Sequence, residues 1–282
     1  MTAARRKGAR FKRAGVVLKA YTVGLADPAR QVVEVLEDHG VEVVVDAPAR
    51  AIFPGAKSVP VARMDVDLVV TIGGDGTILR TLQSTDAPVF SVNAGIMGFL
   101  AETALADATR ELKRVLAGDF VVDRRMRIAP RLNGRALPPC LNEVVVHTAS
   151  VGKMIHFEVT RGSSTIHRVR ADGIIVATPT GSTSYNLSVG GPIVDPAVEA
   201  FVLSPIAPFT LASRPVVVPA TSKLTLKMRD EKAAVVVLDG QRQHAFRRRD
   251  RLVVVRAKKD AELIRFSHDF YRRLQEKHAV NA

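Results

Sequence analysis

Three short stretches of this 282-residue chain carry residue types that could do chemistry. The first is VTIGGDGTILRTL, Val70–Leu82. Glycines 73, 74 and 76 let a backbone approach a ligand closely. The amides that open a following helix face an anion, and the helix dipole favours it. A phosphate loop of the common kind places a Lys here, whereas this one places Asp75. A carboxylate beside a bound phosphate can accept the proton of an attacking hydroxyl, or help organise a Mg²⁺ that neutralises phosphate charge. The same residues would also make an ordinary tight turn with an Asp at a helix start.

The second stretch is RADGIIVATPTGSTSYNLSVGGPIV, Arg170–Val194, in which seven hydroxyl side chains from Thr178 to Ser188 sit among glycines and prolines. Such a segment offers donors and acceptors at short reach and suits ribose, phosphate and amide recognition; a polar surface loop would have the same composition. The third, LNEVVVHT, opens a strand with an adjacent amide and carboxylate, Asn142 and Glu143. That pair could hold vicinal ribose hydroxyls or a base edge, or simply cap a strand.

The elements that must position these groups change character part-way along the chain. Up to about residue 118, strand and helix patterns alternate. Strands are expected at GVVLKAY (15–21), VEVVVD (41–46), VDLVVTIG (66–73) and APVFSVN (87–93), with helices at 28–40, DGTILRTLQST and 104–118. This alternation predicts a parallel sheet with helices packed on it, and it puts the glycine turn at the carboxyl end of a strand, where ligands bind in open α/β sheets. Beyond Gly118, short β-branched runs separated by turn residues predict an all-β, sandwich-like domain, with VEAFVLSP the one helical hint. SHDFYRRLQEKH (267–278) reads as a helix returning to the first domain. The expected domains are 1–119 together with 266–282, and 120–265.

Composition narrows the function classes. The chain is 47% apolar and 24% charged, as in a soluble globular protein. No apolar run reaches the roughly 18–20 residues of a membrane span. The basic N-terminus MTAARRKGARFKR lacks the apolar segment of a secretory signal. A single cysteine, Cys140, excludes an intrachain disulfide and fits a cytoplasmic protein. The net charge of +13 is concentrated in the N-terminal arm and in RRRDR (247–251), with only 5% aromatics and no Trp. With so few aromatics and no recognition motif, this charge points to steering of small polyanions such as nucleotides rather than to nucleic acid. The seven His are scattered, without metal-ligand spacing.

Taken together, GGDGT (73–77), NAGIMGFLAE (93–102), LNE (141–143), RADG (170–173), TPTGSTSYNLSVGGPIV (178–194), PFTLASRP (208–215) and LDGQ (238–241) resemble the NAD kinases in order and spacing, over about residues 66–245. GGDGT is shared with lipid and sphingoid kinases of a wider superfamily; the hydroxyl segment ending in GGPI is far more specific. The resemblance implies an N-terminal α/β domain, a C-terminal β domain and phosphorylation of the 2′-hydroxyl of the adenosine ribose of NAD. The implied donor is ATP or polyphosphate, with a divalent metal, most simply Mg²⁺, whose ligands it leaves unknown. It implies a homodimer or homotetramer, because the family's NAD site is built partly from a neighbouring subunit.

By the same resemblance, Asp75 matches the catalytic acid that accepts the hydroxyl proton. Gly73, Gly74, Gly76 and Thr77 belong to its turn, and Arg80 matches a nucleotide contact. Asn142 and Glu143 match the NAD-binding pair, with Lys153 a further basic contact. Arg170 and Asp172 match nucleotide contacts. Thr183, Ser184, Tyr185, Asn186, Leu187 and Ser188 match the loop lining the dinucleotide site, and Ala207 and Gln241 match late contacts to NAD. Ser184 stands where many members have Ala, and Met97 where many have Leu, which implies tuning rather than loss. The alternatives are a non-catalytic NAD(P)-binding sensor and a lipid or sphingoid kinase.

Overall fold

The structure is a computed structural model, describing residues 11–19, 24–95, 98–150, 152–267 and 269–280. Most of the basic N-terminal arm, the last two residues of GVVLKAY and Met97 of NAGIMGFLAE lie outside the described residues. The chain divides into two compact units, one ending at Arg124 and resuming at Ala261, the other Arg125–Asp260.

The first unit is built on a seven-stranded sheet. Its order is Glu42–Val45, Arg13–Leu18, Leu68–Gly73, Val89–Asn93, Ala261–Arg265 and Val121–Arg125, with Thr103–Ala104 also paired to Val89–Asn93. Arg13–Leu18 runs parallel to both neighbours, and Val89–Asn93 runs parallel to Leu68–Gly73, Thr103–Ala104 and Ala261–Arg265. Leu68–Gly73 is buried along its whole length, the pattern of a strand covered on both faces. Helix Ala26–Asp38 turns Val32, Val33, Val35 and Leu36 inward, and Gly40, at φ 72°, follows its end. Helix Ala108–Leu116 buries Leu112 and Val115 in the same core. The terminal helix, Phe270–Val280, is tied to this unit by Arg273, which donates to the carbonyl of Ala101 at 2.8 Å and pairs with Glu102.

The second unit is a sandwich of two antiparallel six-stranded sheets. One runs Ser164–Ala171, Ile155–Arg161, Leu224–Met228, Leu252–Arg256, Ile128–Leu132, Arg135–Ala136. The other runs Val216–Pro219, Ala200–Ile206, Gly173–Ala177, Glu143–Thr148, Ala234–Leu238, Arg242–Phe246. Val144, Val146, Ile174, Val176, Phe201 and Leu203 of the second sheet meet Phe157, Val159, Leu226, Leu252 and Val254 of the first. The alternating partners Val145, Ile175, Ala177, Val202 and Ile206 point the other way, yet they are buried as well, under Val189 and Val194 of the hydroxyl-rich segment. Fully burying a Val, Ile or Leu side chain is worth about 1.5–3 kcal/mol, so the segment acts as a lid over a second apolar layer. Burial on both faces also explains why VEAFVLSP hints at a helix: Ala200–Ile206 is a strand buried at every position, and its apolar run has no alternation to betray it.

Candidate active site

The glycine turn stands where the parallel strand Leu68–Gly73 passes into helix Asp75–Leu82. A Cβ on Gly73 would lie 2.4 Å from Thr77 Oγ1 and 2.9 Å from its Cβ, so any larger residue here would push Thr77 aside. Around a Cβ on Gly74, by contrast, no atom of the described residues comes within 4 Å. Gly76 is exposed and Thr77 buried, its amide donating to the Gly74 carbonyl at 2.9 Å. Asp75 occupies the first helical turn and is half-buried. Its Oδ2 accepts from the amide of Phe99 at 3.0 Å and its Oδ1 from the amide of Leu100 at 3.3 Å. A carboxylate has about four lone-pair sites, so these two bonds orient the group and leave acceptor capacity for a further proton donor. Arg80 turns back into its own unit, donating to the carbonyl of Leu18 at 2.9 Å and pairing with Asp46 at 3.3 Å. Burial raises the pKa of that Asp46 carboxyl; the amides of Leu18 and Ala49, and then Arg80, oppose the rise.

In the second unit Asn142 and Glu143 are both buried, and Asn142 Oδ1 and Glu143 Oε2 have no hydrogen-bond partner among the described residues. Burial, and then the nearby charge of Asp239, push the Glu143 carboxyl up to about 8, against a hydrogen bond from Ser184. Two buried oxygens left unmatched on adjacent residues are costly unless a ligand supplies donors. Vicinal hydroxyls would do so. Asp239 lies beneath the pair: its carboxylate accepts from the amides of Leu141, Asn142 and Glu143 at 2.8, 2.8 and 3.0 Å.

The hydroxyl-rich segment divides into structural and open members. Thr178 Oγ1 donates to the carbonyl of Leu141 at 2.5 Å and accepts from the amide of Gly181 at 3.0 Å. Ser182 bonds to the carbonyl of Pro179 and the amide of Val194. Asn186 is fully buried; its Nδ2 donates to the carbonyls of Ser182 and Pro192, and its Oδ1 accepts from Ser204 at 2.6 Å. The amide of Asn186 is therefore spent inside the fold, as are Thr178 and Ser182. Thr183, Ser184 and Leu187 are half-buried, and Tyr185 and Ser188 are exposed.

The remaining candidates are more dispersed. Asp172 is half-buried between strands, and Arg170 is exposed with its guanidinium 5.0 Å from the ring centre of Phe209. Lys153 is exposed on the turn before Ile155–Arg161. Ala207 is exposed at φ 45°, just after Ala200–Ile206, and Gln241 is exposed in the same turn as Asp239. Sequence reasoning missed the support beneath the site: the roles of Gly98, Asp239 and Gly181. Gly181 packs on the Asn142 backbone so closely that a Cβ would lie 2.2 Å from its carbonyl oxygen. The only sequence signal was their place inside motifs already singled out. Among the described residues, no group of three or more His, Cys, Asp or Glu could hold a metal.

Both units match one family in turn. The model of the ATP-NAD kinase N-terminal domain matches residues 14–120, and that of the C-terminal domain residues 141–266. An NAD kinase of Methanothermobacter thermautotrophicus is 38% identical over 271 residues, 94% of this chain and 95% of that protein. This chain belongs to the NAD kinase family. Membership makes it a phosphotransferase with an alcohol acceptor. The crystal structure of an NAD kinase from Archaeoglobus fulgidus in complex with ATP is 32% identical, covers 94% of this chain and 98% of its own, and superposes with a TM-score of 0.76. Yeast NADH kinase complexed with NADH shares the fold at 22% identity, with a TM-score of 0.85 over 94% of this chain and 86% of its own.

Proposed function

We propose that the chain transfers the γ-phosphoryl group of ATP to the 2′-hydroxyl of the adenosine ribose of NAD, with Asp75 as the proton acceptor. The observation that carries this reading is the Asp75 carboxylate, held by two backbone amides beside the glycine turn and keeping free lone pairs. Phosphoryl transfer asks for alignment and charge neutralisation more than for covalent chemistry. In this reading the backbone at Gly74 and at the exposed Gly76 admits the donor phosphates at the start of helix Asp75–Leu82. Asn142 and Glu143 hold the dinucleotide through its ribose hydroxyls, and Thr183, Ser184, Tyr185, Leu187 and Ser188 line its path. Asp75 takes the proton as the hydroxyl oxygen attacks phosphorus and ADP leaves.

A divalent ion, Mg²⁺ or another, would supply charge neutralisation on the phosphates. Mg²⁺ characteristically sits on substrate phosphates with one or two carboxylates. That suits a turn whose one acid is Asp75. Polyphosphate is a second candidate donor. We also place the enzyme in the cytoplasm and read it as a homodimer or homotetramer serving NADP synthesis. Phe209 and Leu211, 67% and 85% exposed beside Ala207, support the oligomer as apolar surface that a second copy would cover.

The test is incubation of the purified protein with NAD, Mg²⁺ and either ATP or polyphosphate, with NADP read through an NADP-specific dehydrogenase. NADP formation with one of the donors is expected. Its absence with both, in protein shown to be folded, overturns the reading.

A further inference from the structure

The turn between strands Ala234–Leu238 and Arg242–Phe246 contains Asp239 and Gly240, both at positive φ, 48° and 66°. Asp-Gly is ordinary chemistry for such a turn, because both residues tolerate the left-handed region. A turn by itself, however, asks nothing of the Asp side chain, which at a hairpin tip usually faces water. Here Asp239 is 3% exposed. Its Oδ2 accepts from the Leu141 amide, and its Oδ1 from the amides of Asn142 and Glu143. Its own amide donates to the Glu143 carbonyl at 3.0 Å.

Three consecutive N–H groups thus converge on one carboxylate, an arrangement that backbone amides more often offer to a bound anion. Burying a carboxylate beside Glu143 is electrostatically unfavourable: burial first, and then the Asp239 charge, raise the pKa of both Glu143 and Cys140. The arrangement persists because the amides of 141–143 would otherwise be buried without an acceptor. From the opposite side, Gly181 and the Thr178 amide, which donates to the Asn142 carbonyl at 2.8 Å, close the vice on the same backbone.

We propose that Asp239 is a positioning residue: it locks the backbone of residues 141–143 and thereby aims Asn142 and Glu143 at NAD. The inference rests on the reading of Asn142 and Glu143 as NAD-binding residues. Asp239 touches no ligand in this scheme and acts only through the pair above it.

Asp239→Asn tests the idea. The variant keeps one acceptor oxygen but turns an N–H₂ toward an amide that needs an acceptor, so the stretch must shift. Steady-state kinetics should show the KM for NAD raised about tenfold or more, with kcat within about threefold and the KM for ATP unchanged. Direct titration of NAD onto the variant should show the same weakening. A role in stability alone would lower the melting temperature and leave the KM for NAD at the wild-type value, and that result overturns the proposal. Where Asp239→Asn does not accumulate as folded protein, Gly181→Ala displaces the same backbone from the other side and is read by the same split. Wild-type protein that neither forms NADP nor binds NAD would overturn the functional reading itself; an active wild type with an unchanged KM in the variant overturns the positioning role alone.

Discussion

Gly98 passes so close to Asp75 that a Cβ on it would lie 2.1 Å from one carboxylate oxygen and 2.2 Å from the other. The two residues are 23 positions apart, and the segment that carries Gly98 goes on to supply the Phe99 and Leu100 amides that hold the acid. Gly98→Ala must therefore displace the carboxylate or the segment that orients it. The expected outcome is a kcat reduced at least about tenfold with the KM for NAD little changed, because misplacing a reacting group costs rate steeply. Wild-type turnover in this variant would show that the position of Asp75 is not critical.

Asp75→Asn removes the proposed proton acceptor while keeping the side chain's size. General-base assistance is worth about 10²–10⁴ in rate. Turnover should fall by that factor, and NAD titration should give nearly the wild-type affinity. Turnover at the wild-type rate would exclude Asp75 as the base.

Glu143 links stability to pH. Its carboxyl is raised from 4.5 to about 8 in the fold, so between those values the native state holds a proton that the unfolded chain has released. The native state then binds more protons, and stability falls as pH rises from about 4.5 to about 8, levelling above. Glu143→Gln imitates the protonated form. At pH 8 to 9 it should be more stable than wild type, by up to about 5 kcal/mol, with the advantage vanishing towards pH 4.5. Paired thermal melts across that range check it; an advantage independent of pH would contradict the link.

Asn186 sits among residues that the resemblance assigns to the dinucleotide, yet its amide is committed to Ser182, Pro192 and Ser204. Asn186→Ala leaves these buried partners unmatched, and a loss of about 2–4 kcal/mol is expected. Denaturant unfolding should register that loss while the folded fraction keeps nearly the wild-type KM for NAD. A KM raised tenfold at unchanged stability would show that Asn186 contributes directly to NAD binding.

Much of the candidate site's local geometry was legible in the chain as written, because its elements are contiguous. A strand, a glycine turn and a helix start follow one another in VTIGGDGTILRTL, so Asp75 and its place at a sheet edge could be read directly. Adjacency alone put Asn142 beside Glu143. The switch from alternating strands and helices to β-branched runs likewise announced two kinds of architecture. Ala261–Arg265 belongs to the first sheet despite its β-domain texture, because strand pairing with Val89–Asn93 is a long-range choice that composition does not encode.

Tertiary structure alone decided which polar groups are spent and which stay open. Hydroxyl and amide side chains look alike in TPTGSTSYNLS, but Thr178, Ser182 and Asn186 found partners inside the fold, whereas Ser188 remained at the surface. The fold also chose what supports the acids: Gly98 under Asp75, and Asp239 under Asn142 and Glu143 from almost a hundred residues away. The residue types and their local order were therefore determined by the sequence. Each group's orientation and burial, and the pKa of Glu143, depend on contacts between segments far apart in the chain, and those exist only once the sheets have formed.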